Sequence, residues 1–189
     1  MAFNGSIFSR ANYEAAPFAK EVAHAGALTA LPWLQTTDSE LSPHEQPSSL
    51  GAAFAAVPSE LGLQRVAGYR VVVEGREREL KRSLRGEVYR IVQEAIINAY
   101  SHSGAKEIET EIAYRSTELR IAVRDNGCGI DPHRLQWRRN RHWGLQRMRE
   151  QADRIGARLR VWSRTPYGTE VELRVPGGIA FEQSRSAYA

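Results

Sequence analysis

Glu94, Asn98 and His102 lie four residues apart in a segment whose apolar residues recur at Leu84, Val88, Ile91, Ala95 and Ala99. The apolar set is the buried stripe of a helix. At i, i+4 and i+8 the three polar side chains project together along a second stripe. A carboxylate and a carboxamide one turn apart offer hard oxygen donors of the kind Mg²⁺ accepts alongside water and phosphate. A solvated helix face has the same pattern, so the pair needs a second feature before it counts as a site. That feature is Asp125-Asn126-Gly127-Cys128-Gly129. Leu119, Ile121 and Val123 share a parity with Asp125, which puts its carboxylate on the core side just past a strand end. A carboxylate there costs free energy unless donors reach it, which points to a ligand. Taken alone, the five residues are equally a plain turn.

These groups need elements to hold them. The stripe predicts a helix over residues 81–103, stopped by Gly104. Alternation predicts strands over 69–75, 107–114, 118–124, 158–164 and 168–175. Ile108, Thr110, Ile112 and Tyr114 alternate with Glu107, Glu109 and Glu111, giving one covered and one wet face. A second helix is expected over 143–155, with Leu145, Met148, Ala152 and Ile155 on one face and Gly156 as its stop. Thr169 heads the last strand with its hydroxyl on the same side as Asp125. A short helix is expected within 48–63, kinked or ended by Pro58. Residues 1–48 lack period and read as a poorly ordered leader or a remnant of another domain. The segment after Val175 reads as a loose tail. The sum is an α/β two-layer sandwich, a mixed, mostly antiparallel sheet of about five strands covered by about three helices.

Composition narrows the class. The 189 residues suffice for one ordinary domain, and the net charge of +4 is too mild to argue for nucleic acid. No apolar run is long enough to cross a bilayer, and the start lacks a secretion-signal layout. Cys128 is the sole cysteine, so neither an intrachain disulfide nor a cysteine metal cluster can form, as suits a cytoplasmic chain. Between Asp131 and Glu150 stand six arginines and no acid. Arg138, Arg139 and Arg141 are suited to pair with phosphate or to remain solvated.

The Glu/Asn helix, the Asp-X-Gly-X-Gly turn, the arginine-rich segment ending in Trp143-Gly144-Leu145 and the Gly168-Thr169 strand start come in an order that resembles a known family. It is similar to the ATP-binding catalytic domain of bacterial sensor histidine kinases, in the wider group of gyrase, the Hsp90 chaperones and MutL, with a Bergerat-type fold. The nearest look is to kinases of the NarX and DesK type. The resemblance runs from Ser49 to Pro176, dividing the chain into a leader (1–48), an ATPase domain (49–178) and a tail (179–189). It implies that Asn98, with Glu94, holds Mg²⁺, and that Glu94 helps activate the phosphate acceptor or a water. It implies that Asp125 accepts a hydrogen bond from the adenine amino group, supported by Thr169 after Gly168. It also implies that Gly127 and Gly129 let the backbone pass close to the nucleotide, and that Gly144 and Leu145 meet the phosphates. His102 either touches phosphate or simply ends its helix.

The implied cofactors are ATP and Mg²⁺. The implied partners are a His-bearing dimerisation domain, through which any homodimer would form, and a response regulator. Neither nucleic acid nor a membrane is expected for this chain. Two departures stand out. Arg147 occupies a position where the family often has glycine. No helical hairpin with a phosphorylatable His is visible either: His44 is flanked by Pro43 and Pro47, and His24 lacks a following acid. An anti-sigma-type serine kinase and a degenerate nucleotide-binding module without catalysis therefore remain open as alternatives.

Overall fold

The core begins at the apolar stripe of the long helix. The computed structural model describes residues 49–63, 66–130 and 143–182. The leader with His24 and His44, and the segment carrying Arg138, Arg139 and Arg141, lie outside these residues. The elements run α1 (Leu50–Glu60), β1 (Gly68–Glu74), α2 (Arg82–His102), β2 (Glu107–Tyr114), β3 (Glu118–Asp125), α3 (Trp143–Arg154), β4 (Arg158–Arg164), β5 (Gly168–Pro176) and the single turn α4 (Gly177–Ala180). Helix α2 buries Leu84, Val88, Ile91, Val92, Ala95, Ile96, Ala99 and Tyr100. Its 21 residues span about 30 Å, enough to cross the whole sheet.

The five strands form one sheet in the order β1-β2-β3-β5-β4. β1 and β2 are parallel, and every other pair is antiparallel. A parallel pair cannot be joined by a hairpin, so the chain must cross over the sheet, and α2 is that crossover. Ile108, Ile112, Leu119, Ile121, Val123, Leu173 and Val175 turn toward α2 and are buried. Helix α3 adds Met148 and Ala152 to the same core, and its Gln151 Nε2 donates to Glu87 of α2 at 2.5 Å. The resulting two-layer sandwich has the expected architecture.

The other sheet face differs from expectation. It was expected to be wet, yet Arg120 is 4% exposed and Glu172 only 1%. Charge alternates strand by strand: Arg70 on β1, Glu109 and Glu111 on β2, Arg120 and Arg124 on β3, Glu170 and Glu172 on β5. Arg120 bonds Glu111 and reaches Glu172 at 2.5 Å and Glu170 at 3.6 Å. Arg124 reaches Glu109 at 3.1 Å, Glu111 at 2.6 Å and Glu170 at 2.8 Å. Burial alone would raise the Glu111 and Glu172 carboxyls, but the surrounding guanidiniums outweigh it and hold both below their ordinary value. Period-two patterning identifies the polar face but carries no information on whether its charges pair.

Two further expectations are corrected. Pro58 lies inside α1, which runs on to Glu60. The stop comes from Gly62, whose N–H bonds Ser59 O while Leu63 N–H bonds Pro58 O, the paired closure of a left-handed C-cap. The domain also continues past residue 178: Phe181 is 2% exposed, bridges Leu80, and carries the Arg78 guanidinium 3.8 Å over its ring. Lys81 N–H bonds Ala180 O at 2.9 Å, so the start of α2 is clasped by the chain after β5.

Candidate functional site

Glu94 and Asn98 stand half-buried on the face of α2 turned toward α3. A Cβ on Gly144 would lie 3.1 Å from Glu94 Oε1 and 3.6 Å from Asn98 Nδ2, so the first turn of α3 abuts this pair. The backbone N–H groups of that turn lack partners within the helix and suit an anion. Leu145 packs against the core, and Arg147 is exposed. His102 is exposed on the next turn of α2, about 12 Å along the axis from Glu94. No group of three His, Cys, Asp or Glu side chains suited to a metal occurs among the described residues. The Glu94 and Asn98 oxygens at this contact are a donor set that fits Mg²⁺ completed by phosphate and water.

The Asp-X-Gly-X-Gly turn is pinned to the end of α2. Cys128 N–H donates to Ser103 O at 2.8 Å, and Asn126 Oδ1 accepts the N–H groups of Lys106 and Glu107 at 2.9 and 3.0 Å. A Cβ on Gly127 would fall 2.2 Å from Ser103 O, so glycine is required there by the protein's own packing. On Gly129 it would fall 2.8 Å from Arg164 O.

Asp125 is 6% exposed at the end of β3, with Oδ1 accepting Gly127 N–H at 2.9 Å. Burial pushes its carboxyl above the ordinary value, opposed by the backbone donors of Gly127 and Thr169. Thr169 is directly opposite on β5, and Ser163 directly opposite Thr169 on β4. Ser163 Oγ lies 3.0 Å from Thr169 Oγ1, 3.0 Å from Gly168 O, and accepts Ile130 N–H at 2.7 Å. Ser163 is the neighbour of Thr169 that sequence reasoning missed. Its signal was there, since it shares the inward parity of Leu159 and Val161. Gly168 has φ 96°, and a Cβ on it would fall 1.9 Å from Asp125 O.

The sequence-selected residues thus form two connected groups. Glu94, Asn98 and Gly144 meet at the α2–α3 contact, while Asp125, Thr169, Gly168, Gly127 and Gly129 surround the β3 end, joined to α2 through Ser103. A hollow of about 570 Å³ beside Thr117, Arg158 and Arg174 belongs to the other end of the molecule, about 23 Å away along β3.

The class defined by this arrangement is a two-layer α/β sandwich, with these two groups of residues between the helix layer and the end of the central strand. A family model described as "Histidine kinase-, DNA gyrase B-, and HSP90-like ATPase" matches residues 84–179, and the chain belongs to that family. Sensor protein VraS of Staphylococcus epidermidis is 30% identical over 116 residues, 61% of this chain and 32% of that protein. VraS of Staphylococcus aureus strain COL is 29% identical over the same length. The chain spans about a third of the length of these curated relatives. Among solved structures, the histidine kinase domain of the Erythrobacter litoralis EL346 blue-light activated histidine kinase superposes with TM-score 0.56 at 22% identity, over 69% of this chain and 62% of that one. Full-length ShkA, solved in complex with AMPPNP, superposes with TM-score 0.58 at 15% identity, over 77% and 33% of the two chains. At these identities the structural matches establish the fold. No helix among the described residues is long and apolar enough to cross a membrane.

Proposed function

We propose that this chain is the ATP- and Mg²⁺-binding catalytic domain of a cytoplasmic sensor histidine kinase of the NarX and DesK type. It passes the γ-phosphoryl group of ATP to a histidine on a dimerisation domain, from which a response regulator takes it. The observation that carries the reading is the approach of Gly144 to Glu94 and Asn98, because it sets first-turn backbone N–H groups of α3, which have no partner within that helix, against a carboxylate and a carboxamide of α2. ATP supplies the transferable phosphoryl group. Asp125, reached by the backbone donors of Gly127 and Thr169, accepts the adenine amino hydrogen, and Thr169 with Ser163 holds that end of the cleft. Gly127, Gly129 and Gly168 let the backbone segments around Asp125 pack closely enough to form that end of the cleft. Asn98 and Glu94 hold the magnesium that screens the phosphates, and the first turn of α3, Gly144 and Leu145, receives the phosphate oxygens. His102, one turn beyond Asn98, adds a donor toward the same anion. Glu94 also takes the proton released when the acceptor attacks, a role worth about 10²- to 10⁴-fold in rate. The rest of the catalysis is positioning and charge neutralisation.

The test is transfer of label from γ-labelled ATP. The chain alone is expected to show no acid-labile, base-stable label. An added helical-hairpin domain from a related kinase is expected to acquire it, with Asn98→Ala weakening the magnesium-dependent part of ATP binding. Label on a partner's serine would replace the reading with a serine kinase of the anti-sigma type. Binding without transfer to any acceptor would make the chain a nucleotide-binding module.

A further inference from the structure

The charge alternation of the open sheet face continues one strand beyond the acids available to it. Strand β4 is the last in the order β1-β2-β3-β5-β4, and among the described residues no strand pairs with its outer edge. On the open face it presents Arg158, Arg160, Trp162 and Arg164, which sit opposite Arg174, Glu172, Glu170 and Gly168. The facing acids are already engaged: Glu172 bonds Arg120 and Arg174, and Glu170 bonds Arg124 and Arg120. Arg158 and Arg160 are exposed and have no acid partner among the described residues, and Arg158 stands directly opposite another arginine. Arg164 is stacked on Tyr167 at 4.8 Å, so the two unpaired cations are the first two of the row.

We infer that β4 is a docking edge for an extended, acidic polypeptide segment of a partner protein, which adds as a sixth strand with carboxylates at alternate positions. A strand added there lies about 4.8 Å away and sets its same-face side chains directly opposite Arg158 and Arg160, restoring the acid row that the alternation lacks. A free strand edge offers alternating N–H and C=O groups, which another polypeptide backbone pairs and a nucleic acid does not. A second copy of β4 is disfavoured at this edge because it would set arginine against arginine. The surface lies on the opposite side of the sheet from Glu94, Asn98 and Asp125, so occupying it leaves the nucleotide cleft open.

The experiment uses the full chain and two fluorescent seven-residue peptides, one alternating Glu with Val and the other Lys with Val, followed by anisotropy at low salt. The Glu peptide is expected to bind and the Lys peptide not to, and amide exchange is expected to slow within 158–164. In Arg158→Glu/Arg160→Glu, Glu-peptide affinity should fall at least tenfold and the Lys peptide should begin to bind. Should that pair fail to fold by circular dichroism, Arg158→Gln/Arg160→Gln is expected to give a smaller loss in the same direction. Absent binding, affinity unchanged in the variants, exchange protection elsewhere in the chain, or competition by a single-stranded RNA oligomer as strong as that of unlabelled Glu peptide would each overturn the inference.

Discussion

Asp125→Asn separates the stability of the free domain from its affinity for nucleotide. In the free protein the buried carboxyl has a raised pKa, so its stabilising contribution is full below the ordinary value of 3.8 and is lost as pH rises through the raised value. The Gly127 and Thr169 backbone donors oppose that shift by favouring the charged form. A carboxamide keeps an acceptor for Gly127 and sets an N–H₂ against Thr169, giving up one hydrogen bond of about 1 kcal/mol while removing a buried charge. These changes oppose each other, so the free variant should melt within a few degrees of the parent. Nucleotide binding has no such offset. A hydrogen bond to a charged acceptor is worth about 1.5–3 kcal/mol, which predicts a loss of roughly 10- to 150-fold for ADP and ATP alike. Calorimetry with ADP, with and without magnesium, reads this directly. Parent affinity should also fall as pH drops through the raised pKa of Asp125, and the variant should lack that slope. Variant affinity within threefold of the parent, or a loss seen only with magnesium, would refute adenine recognition by Asp125.

Gly168→Ala should destabilise the domain by several kcal/mol or prevent folding, because the backbone φ is 96° and the Cβ would fall 1.9 Å from Asp125 O; urea unfolding measures it. Arg120→Met should cost about 3–5 kcal/mol, since it strands Glu172, 1% exposed, and Glu111 with one arginine partner fewer each. Adding Glu111→Leu and Glu172→Leu to that variant should recover much of the loss, as read by denaturant midpoints. Acid titration should weaken the domain: the depressed pKa values of Glu111 and Glu172 give stability that is present above their ordinary 4.5 and lost as pH falls through the folded values. Thermal melts between pH 7 and 3 should show this decline, less steep in the triple variant.

The strands and α2 were legible because each has one dry face, and a dry face writes its period into the sequence. The Glu94–Asn98 pair and the Asp125 turn were legible for the same reason, each lying at a fixed parity or phase from an apolar stripe. Ser163 escaped because small hydroxyl residues carry no apolar signature, although its parity was available from Val161. The paired charges of Arg120 and Glu172 escaped for a different cause. Period two assigns a residue to a face, but which charges meet across that face depends on strand order, and β5 inserting between β3 and β4 is invisible locally. Phe181 was missed because it is one residue past the single turn α4, buried by Leu80, Arg78 and Tyr114 from distant parts of the chain, and a single buried residue generates no period.

The insertion of β5 between β3 and β4 also governs how the domain can form during synthesis. Strand β4 leaves the ribosome before its partner β5, and Asp125 before the Thr169 backbone donor opposite it. The clasp of Ala180 and Phe181 on the start of α2 closes later still. At about 5–20 residues per second the chain spends seconds with β3 lacking one neighbour and its arginine row lacking Glu170 and Glu172. The sheet is therefore completed only once β5 has emerged. Until β5 emerges, the half-built sheet exposes the long edge of β3, which makes that edge the place where a chaperone or a misplaced strand would act.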